Sequence, residues 1–129
     1  MRKIFMRNTM AAIGGVIFVT ILLLAIPYGR ARAQDLDAAK QMFGELCARC
    51  HGPDGHGDGP DGAALATKPR NFHDCALMAK EADETMFNEI KGGSGSIGRS
   101  NDMPAWGESL SDEEIRNLVL FLRTFCQHS

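Results

Sequence analysis

Basic residues are scarce beyond position 33. Of the fourteen lysines and arginines, five lie in the first 33 residues, where none of the sixteen acidic residues occurs, so the remaining 96 residues carry a net charge of −7. The basic face that nucleic-acid binding requires is missing. No second pair of cysteines or histidines stands at ligand spacing, since Cys75, Cys126, His56, His73 and His128 are all isolated, and a four-ligand zinc site has nothing to close it. Asp54, Asp58 and Gly59 fall near the spacing of a calcium loop, but His56 takes the third position and Leu65 the twelfth, so that loop lacks its ligands. Sustained period-two alternation is absent, which excludes a sheet and the βαβ setting of a thioredoxin-like thiol pair. No repeat is visible, and 129 residues leave room for one compact domain and a targeting segment.

One long apolar run is present, from Met10 to Ile26, preceded by Arg2, Lys3 and Arg7 and followed by Pro27 and the triplet Ala31-Arg32-Ala33. That order is a secretory signal peptide over residues 1–33, with a basic start, an apolar stretch and an A-x-A cleavage site ahead of Gln34. An uncleaved membrane anchor is the alternative, because a stretch of seventeen residues sits at the short end of a bilayer span. Residues 34–129 then form the functional domain, and membrane contact is expected only if the segment stays attached.

Within that domain, Leu36, Ala39, Phe43, Leu46 and Cys50 recur at steps of three and four and predict a helix, with Asp35 or Asp37 as its cap. Residues 51–74 are broken by glycine and proline and predict a loop. A second helix is expected over Glu84–Lys91, capped by Asp83 and ended by Gly92-Gly93. Ser111 and Glu114 make a capping box ahead of Ile115, Leu118, Val119, Leu122 and Phe125, which predicts a terminal helix. The class is all-α. These helices bury too little for so loop-rich a chain, so something else must fill its centre.

Cys47-Ala48-Arg49-Cys50-His51 states what that is. C-x-x-C-H is the attachment sequence of a c-type haem: two thiols three residues apart project from one face of a helix end, spaced for two vinyl groups, and the adjacent histidine is held under the iron. With this motif, the order of helix, Gly/Pro loop, helix, Met103-Pro104 loop and terminal helix resembles the monohaem class I cytochromes c over residues 36–126. Phe43 and Phe121 resemble the family's packed aromatics on the first and last helices, which implies that those helices cross.

The resemblance implies a single covalent haem c held by Cys47 and Cys50, with His51 as one axial ligand. Met103 is expected as the other, in an irregular loop stiffened by Pro104 shortly before the last helix, as the family's ligand methionine is. Met42 lies on the attachment helix, Met78 and Met86 fall in or beside helical segments where methionine is a core filler, and His56, His73 and His128 are the remaining alternatives. Gly59-Pro60 resembles the family's Gly-Pro, whose carbonyl accepts the proton of the ligand histidine; the alternative is a plain turn. Arg70, Asn71 and Trp106 are candidates to meet the haem carboxylates, with plain packing the alternative for Trp106.

The implied function is that of a periplasmic one-electron carrier, monomeric, serving redox partner proteins, and not itself an enzyme. Two alternatives remain: a cytochrome subunit of a larger dehydrogenase or oxidase, and a gas-binding or peroxidase-like haem protein. For the latter the glycines at 92, 93, 95 and 98 would let the Met103 loop swing away. Cys75 and Cys126 are left over by the haem, and export would allow them to pair; two separate buried thiols are the alternative.

Overall fold

The computed structural model describes the backbone of residues 27–127 and the side chains of residues 35–127. The basic and apolar stretches of the expected signal peptide, and His128, lie outside the described residues. Contacts divide the chain into Met1–Gln34 and Asp35–Ser129. Among the described residues there is no strand, and no helix is long and apolar enough to cross a membrane.

The first helix, α1, spans Pro27–Met42. It therefore begins well before Leu36, and Asp35 and Asp37 lie inside it rather than capping it; Pro27 occupies a first-turn position, where a missing N–H costs nothing. A π-turn, Phe43–Cys47, follows, and α2 (Ala48–His51) completes the attachment segment. The Ala48 N–H reaches back to the Phe43 carbonyl, which inserts one residue into the turn just ahead of the two cysteines, a device common at functional sites. Nothing in the apolar spacing signals it.

The Gly/Pro stretch is a loop as expected, with one 3₁₀ turn at Gly62–Ala64. A short helix, α3 (Cys75–Met78), follows it, with the Asp74 carboxylate accepting from the Leu77 N–H at 3.0 Å. Helix α4 runs Asp83–Gly92. Its N-cap is Ala82, not Asp83; the Asp83 carboxylate is drawn off by Arg123, whose Nε donates to it at 2.8 Å. The glycine-rich segment after α4 is not an open hinge. Ser94–Ile97 forms a 3₁₀ turn, and the Ser96 hydroxyl donates to the Gly93 carbonyl at 2.6 Å.

The terminal helix α5, Asp112–Thr124, starts with both halves of its capping box in place: Glu114 N–H to Ser111 Oγ at 3.3 Å and Ser111 N–H to the Glu114 carboxylate at 2.8 Å. It buries Ile115, Leu118, Val119 and Leu122 against α4, which contributes Met86, Phe87 and Ile90. Each such side chain contributes roughly 1.5–3 kcal/mol by leaving water. The expected packing of the two aromatics is observed: Phe43, 2 % exposed, in the π-turn after α1, meets Phe121 at 5.5 Å and Phe125 at 5.7 Å between ring centroids. Cys75 and Cys126 form a disulfide that ties α3 to the end of α5.

Candidate functional site

The loop between α2 and α3 leaves a cavity of about 510 Å³ between the attachment segment, α4 and the Met103 segment, the size of a pocket for a large organic ligand. Leu46, Cys47, Cys50 and His51 line it from the π-turn and α2, Pro69–Phe72 and Leu77 from the loop and α3, Met86 and Ile90 from α4, and Met103, Pro104 and Trp106 from the last loop. Cys47 and Cys50 take part in no disulfide. Burial, with a smaller push from the neighbouring Cys50, raises the Cys47 thiol to about 11 in the unattached chain.

The His51 ring stacks on Phe72, with centroids 4.8 Å apart, and its Nδ1 lies 3.2 Å from the Arg70 carbonyl. A carbonyl only accepts, so Nδ1 carries the proton and Nε2 is left with its lone pair. Burial lowers the His51 pKa, against a smaller opposing pull from the Arg70 hydrogen bond, which keeps the imidazole neutral and fit to bind a metal. The partner is therefore Arg70, not Pro60. Gly59 N–H and Asp61 N–H donate to the carbonyls of Cys50 and Arg49, so Gly59-Pro60 is a turn that closes the C-terminal end of α2.

Met103 reaches the same cavity from a segment built onto the end of α4. Trp106 N–H donates to Ile90 O at 3.0 Å, Gly107 N–H to Lys91 O at 2.9 Å, and Ser94 N–H to Met103 O at 3.3 Å. The Ser94 hydroxyl accepts from Met103 N–H and donates to the Ser100 carbonyl. Of the other methionines, Met78 and Met86 are core residues, 1 % and 3 % exposed, although Met86 also reaches the cavity wall, and Met42 packs against the core. His56 and His73 stack on each other in an exposed loop and do not line the cavity. Two thiols, an imidazole with a free Nε2 and a thioether on the wall of one apolar cavity are a donor set that fits a covalently attached haem.

Sequence reasoning missed the cavity's charged wall. Arg70 and Arg99 each pair with both Glu81 and Glu89. Burial alone would raise the Glu81 pKa, but the hydrogen bond from Arg99 and the charges of Arg99 and Arg70 outweigh it and hold the carboxyl below its ordinary range. The Glu81 hydrogen bond likewise holds Arg99 further into its charged form. Their positions, 70, 81, 89 and 99, carry no motif spacing that could have revealed the cluster. Asn71 is spent on the local turn, accepting from the His73 N–H.

The family described as cytochrome c oxidase, cbb3-type, subunit III matches residues 34–122. Cytochrome c6 of Gracilaria tenuistipitata var. liui is 30% identical over 92 residues, covering 70% of this chain and 72% of its own length. The cbb3-type cytochrome c oxidase subunit FixP of Rhizobium meliloti (strain 1021) is 28% identical over 85 residues, 66% of this chain but 26% of that protein, so this chain spans about a quarter of FixP. Among solved structures, the KustC0563 c-type cytochrome matches with a TM-score of 0.56 at 30% identity, over 69% of this chain and 98% of that one. A chain of the Kuenenia stuttgartiensis reducing HAO-like protein complex shares the fold, with a TM-score of 0.58 at 23% identity over 73% of this chain and 44% of that one.

Proposed function

The chain belongs to the cytochrome c family, through the domain described as cbb3-type oxidase subunit III, and on that premise we propose that it is an exported, periplasmic one-electron carrier whose single haem is attached at Cys47 and Cys50 and ligated by His51 and Met103. Members of this family bind haem c covalently. Haem supplies a reversible ferrous–ferric couple; the polypeptide sets the potential and the docking surface. In this reading the Arg70 carbonyl fixes the His51 tautomer and makes Nε2 the more basic nitrogen. The Met103 thioether favours the reduced metal and raises the potential.

The observation that carries the proposal is the convergence of Cys47, Cys50, His51 and Met103 on one cavity from segments far apart in sequence. If His51 and Met103 held the metal together, they would leave it no vacancy for oxygen or peroxide, and the hydrogen bonds that tie Met103 to Ser94 oppose opening one. That favours a carrier over a gas-binding or peroxidase-like protein. The net charge of −7 after residue 33 suits basic redox partners. A second reading, a relay subunit of a larger enzyme, is favoured by the match to FixP, which is named as an oxidase subunit; a partner that copurifies in fixed stoichiometry would establish it.

The test has two arms. Mass spectrometry of protein from a maturation-competent host should show a polypeptide beginning at Gln34 plus one haem, and acidified organic solvent should fail to extract it. Reduced wild-type protein should bind carbon monoxide poorly at neutral pH, whereas Met103→Ala binds it readily and has a lowered potential. Extractable haem with two free thiols would overturn the attachment, and an unchanged spectrum and potential in Met103→Ala would overturn the ligand.

A further inference from the structure

Arg70, Glu81, Glu89 and Arg99 form a closed ring on the cavity wall. One oxygen of Glu81 receives Arg70 at 2.9 Å and Arg99 at 2.7 Å; one oxygen of Glu89 receives Arg99 at 2.6 Å and pairs with Arg70 at 3.6 Å. The Glu81, Glu89 and Arg70 side chains are only 13 %, 14 % and 16 % exposed, and Arg99 closes the ring from the solvent side at 37 %. Two positive and two negative charges cancel, so the ring can sit in poorly solvated surroundings without an unpaired ion. It needs arginine, whose planar fork reaches two carboxylates at once where the single ammonium of lysine cannot.

The backbone of each arginine leads directly to one axial residue. The Arg70 carbonyl accepts the His51 Nδ1 proton. Arg99 N–H donates to the Ser94 carbonyl at 3.0 Å, and Ser94, bonded to the Ser100 carbonyl, accepts the Met103 N–H. The two glutamates sit between them on α4 and the turn before it. Glu81 is itself held, since the Arg123 guanidinium donates to its carbonyl while pairing with Asp83.

We infer that this ring is a clasp that holds the His51-bearing loop and the Met103-bearing loop in register, making Glu81 and Glu89 positioning residues for both axial groups; the inference rests on the ligation proposed above. The clasp acts through the main chain: it fixes where the Arg70 carbonyl points and how far the Ser94–Met103 segment can move. Removing the carboxylates loosens both loops together, and removing Glu89 also takes away a charge that acts on the His51 imidazole.

The test uses haem-loaded protein carrying Glu81→Gln and Glu89→Gln, which keep the side-chain volume and remove the charge. Hydrogen exchange read by mass spectrometry should rise about fivefold or more in peptides covering residues 70–74 and 99–104 alike, and carbon monoxide binding to the reduced protein should accelerate by a similar factor. Arg99→Lys, which keeps the charge but loses the fork, should give a smaller change of the same kind and serves if the double variant fails to fold. Asp112→Asn, which breaks the exposed Lys91–Asp112 pair at the start of α5, is the control and should leave both readouts unchanged. Faster exchange in one loop only, or in neither, overturns the clasp. If Met103→Ala itself fails to speed carbon monoxide binding, the ligand assignment has failed instead, and the exchange measurement alone decides the clasp.

Discussion

Gly93 joins α4 to the segment that presents Met103, with φ 78° and ψ 161°, a region essentially restricted to glycine. A methyl group there would stand 2.9 Å from the Met103 carbonyl oxygen, 3.1 Å from Ala105 N and 3.3 Å from Pro104 C. All three are backbone atoms, and Trp106 N–H on Ile90 O holds the strand of chain that carries them, so no flexible side chain can yield. Gly93→Ala therefore adds backbone strain of about 1–3 kcal/mol to an overlap that is relieved only by shifting residues 103–105, about 3 kcal/mol in all. Gly98 supplies the control: it has φ 76° and ψ 21°, but an added methyl group meets nothing within 4 Å. Gly98→Ala carries the left-handed penalty alone, about 1 kcal/mol.

At about 4–8 °C per kcal/mol for a domain of this size, Gly93→Ala should lower Tm by about 12–24 °C and Gly98→Ala by about 4–8 °C. The functional consequence separates them further. With Met103 as the ligand proposed above, displacing residues 103–105 would weaken its bond, so the reduced Gly93→Ala protein should bind carbon monoxide about tenfold faster than wild type, the equivalent of ~1.4 kcal/mol lost from that bond, while Gly98→Ala stays near wild type. Equal losses of Tm in the two variants, or equal carbon monoxide rates, would refute the reasoning from close approach.

Three further outcomes follow from the fold. The Cys75–Cys126 bridge spans a separation of 51 residues, so replacing both cysteines by alanine should cost about 4 kcal/mol in urea unfolding under the chain-entropy account, and alkylation of the denatured, unreduced holoprotein should label no thiol. Ser111→Ala removes the cap of α5 and should cost about 1 kcal/mol, read as a Tm loss with the haem spectrum unchanged. Because the folded Glu81 pKa lies below its ordinary value of 4.5, its stabilisation is complete above that value and is lost as pH falls through the lower folded pKa; Glu81→Gln should flatten the acid limb of the Tm–pH curve, and an acid limb identical to wild type would show that the carboxylate does not contribute.

The attachment motif needed no fold to be read. Cys47, Cys50 and His51 are adjacent in the chain, and the thiol and imidazole chemistry follows from that spacing. The last helix was equally legible, because Ser111, Glu114 and the apolar steps from Ile115 to Leu122 are a local pattern that sets both its start and its buried face. So was the placement of Met103 in a loop that Pro104 keeps from becoming helix. These features are encoded within a few residues of one another, where periodicity and capping act.

What the sequence left open depended on pairs of residues with no fixed spacing. Asp83 is a good cap by type, but Arg123, forty residues later, takes its carboxylate. Pro60 resembled the acceptor for His51, yet the loop folds so that residue 70, not 60, passes beneath the imidazole. The glycines after α4 suggested a hinge, whereas the hydroxyls of Ser94 and Ser96 tie that segment down. Cys75 and Cys126 had a motive to pair but no spacing to show that they meet. The ring of Arg70, Glu81, Glu89 and Arg99 exists only because three loops and a helix close on one cavity, and long-range closure of that kind is decided by packing around the centre, not by any local preference of the residues that take part.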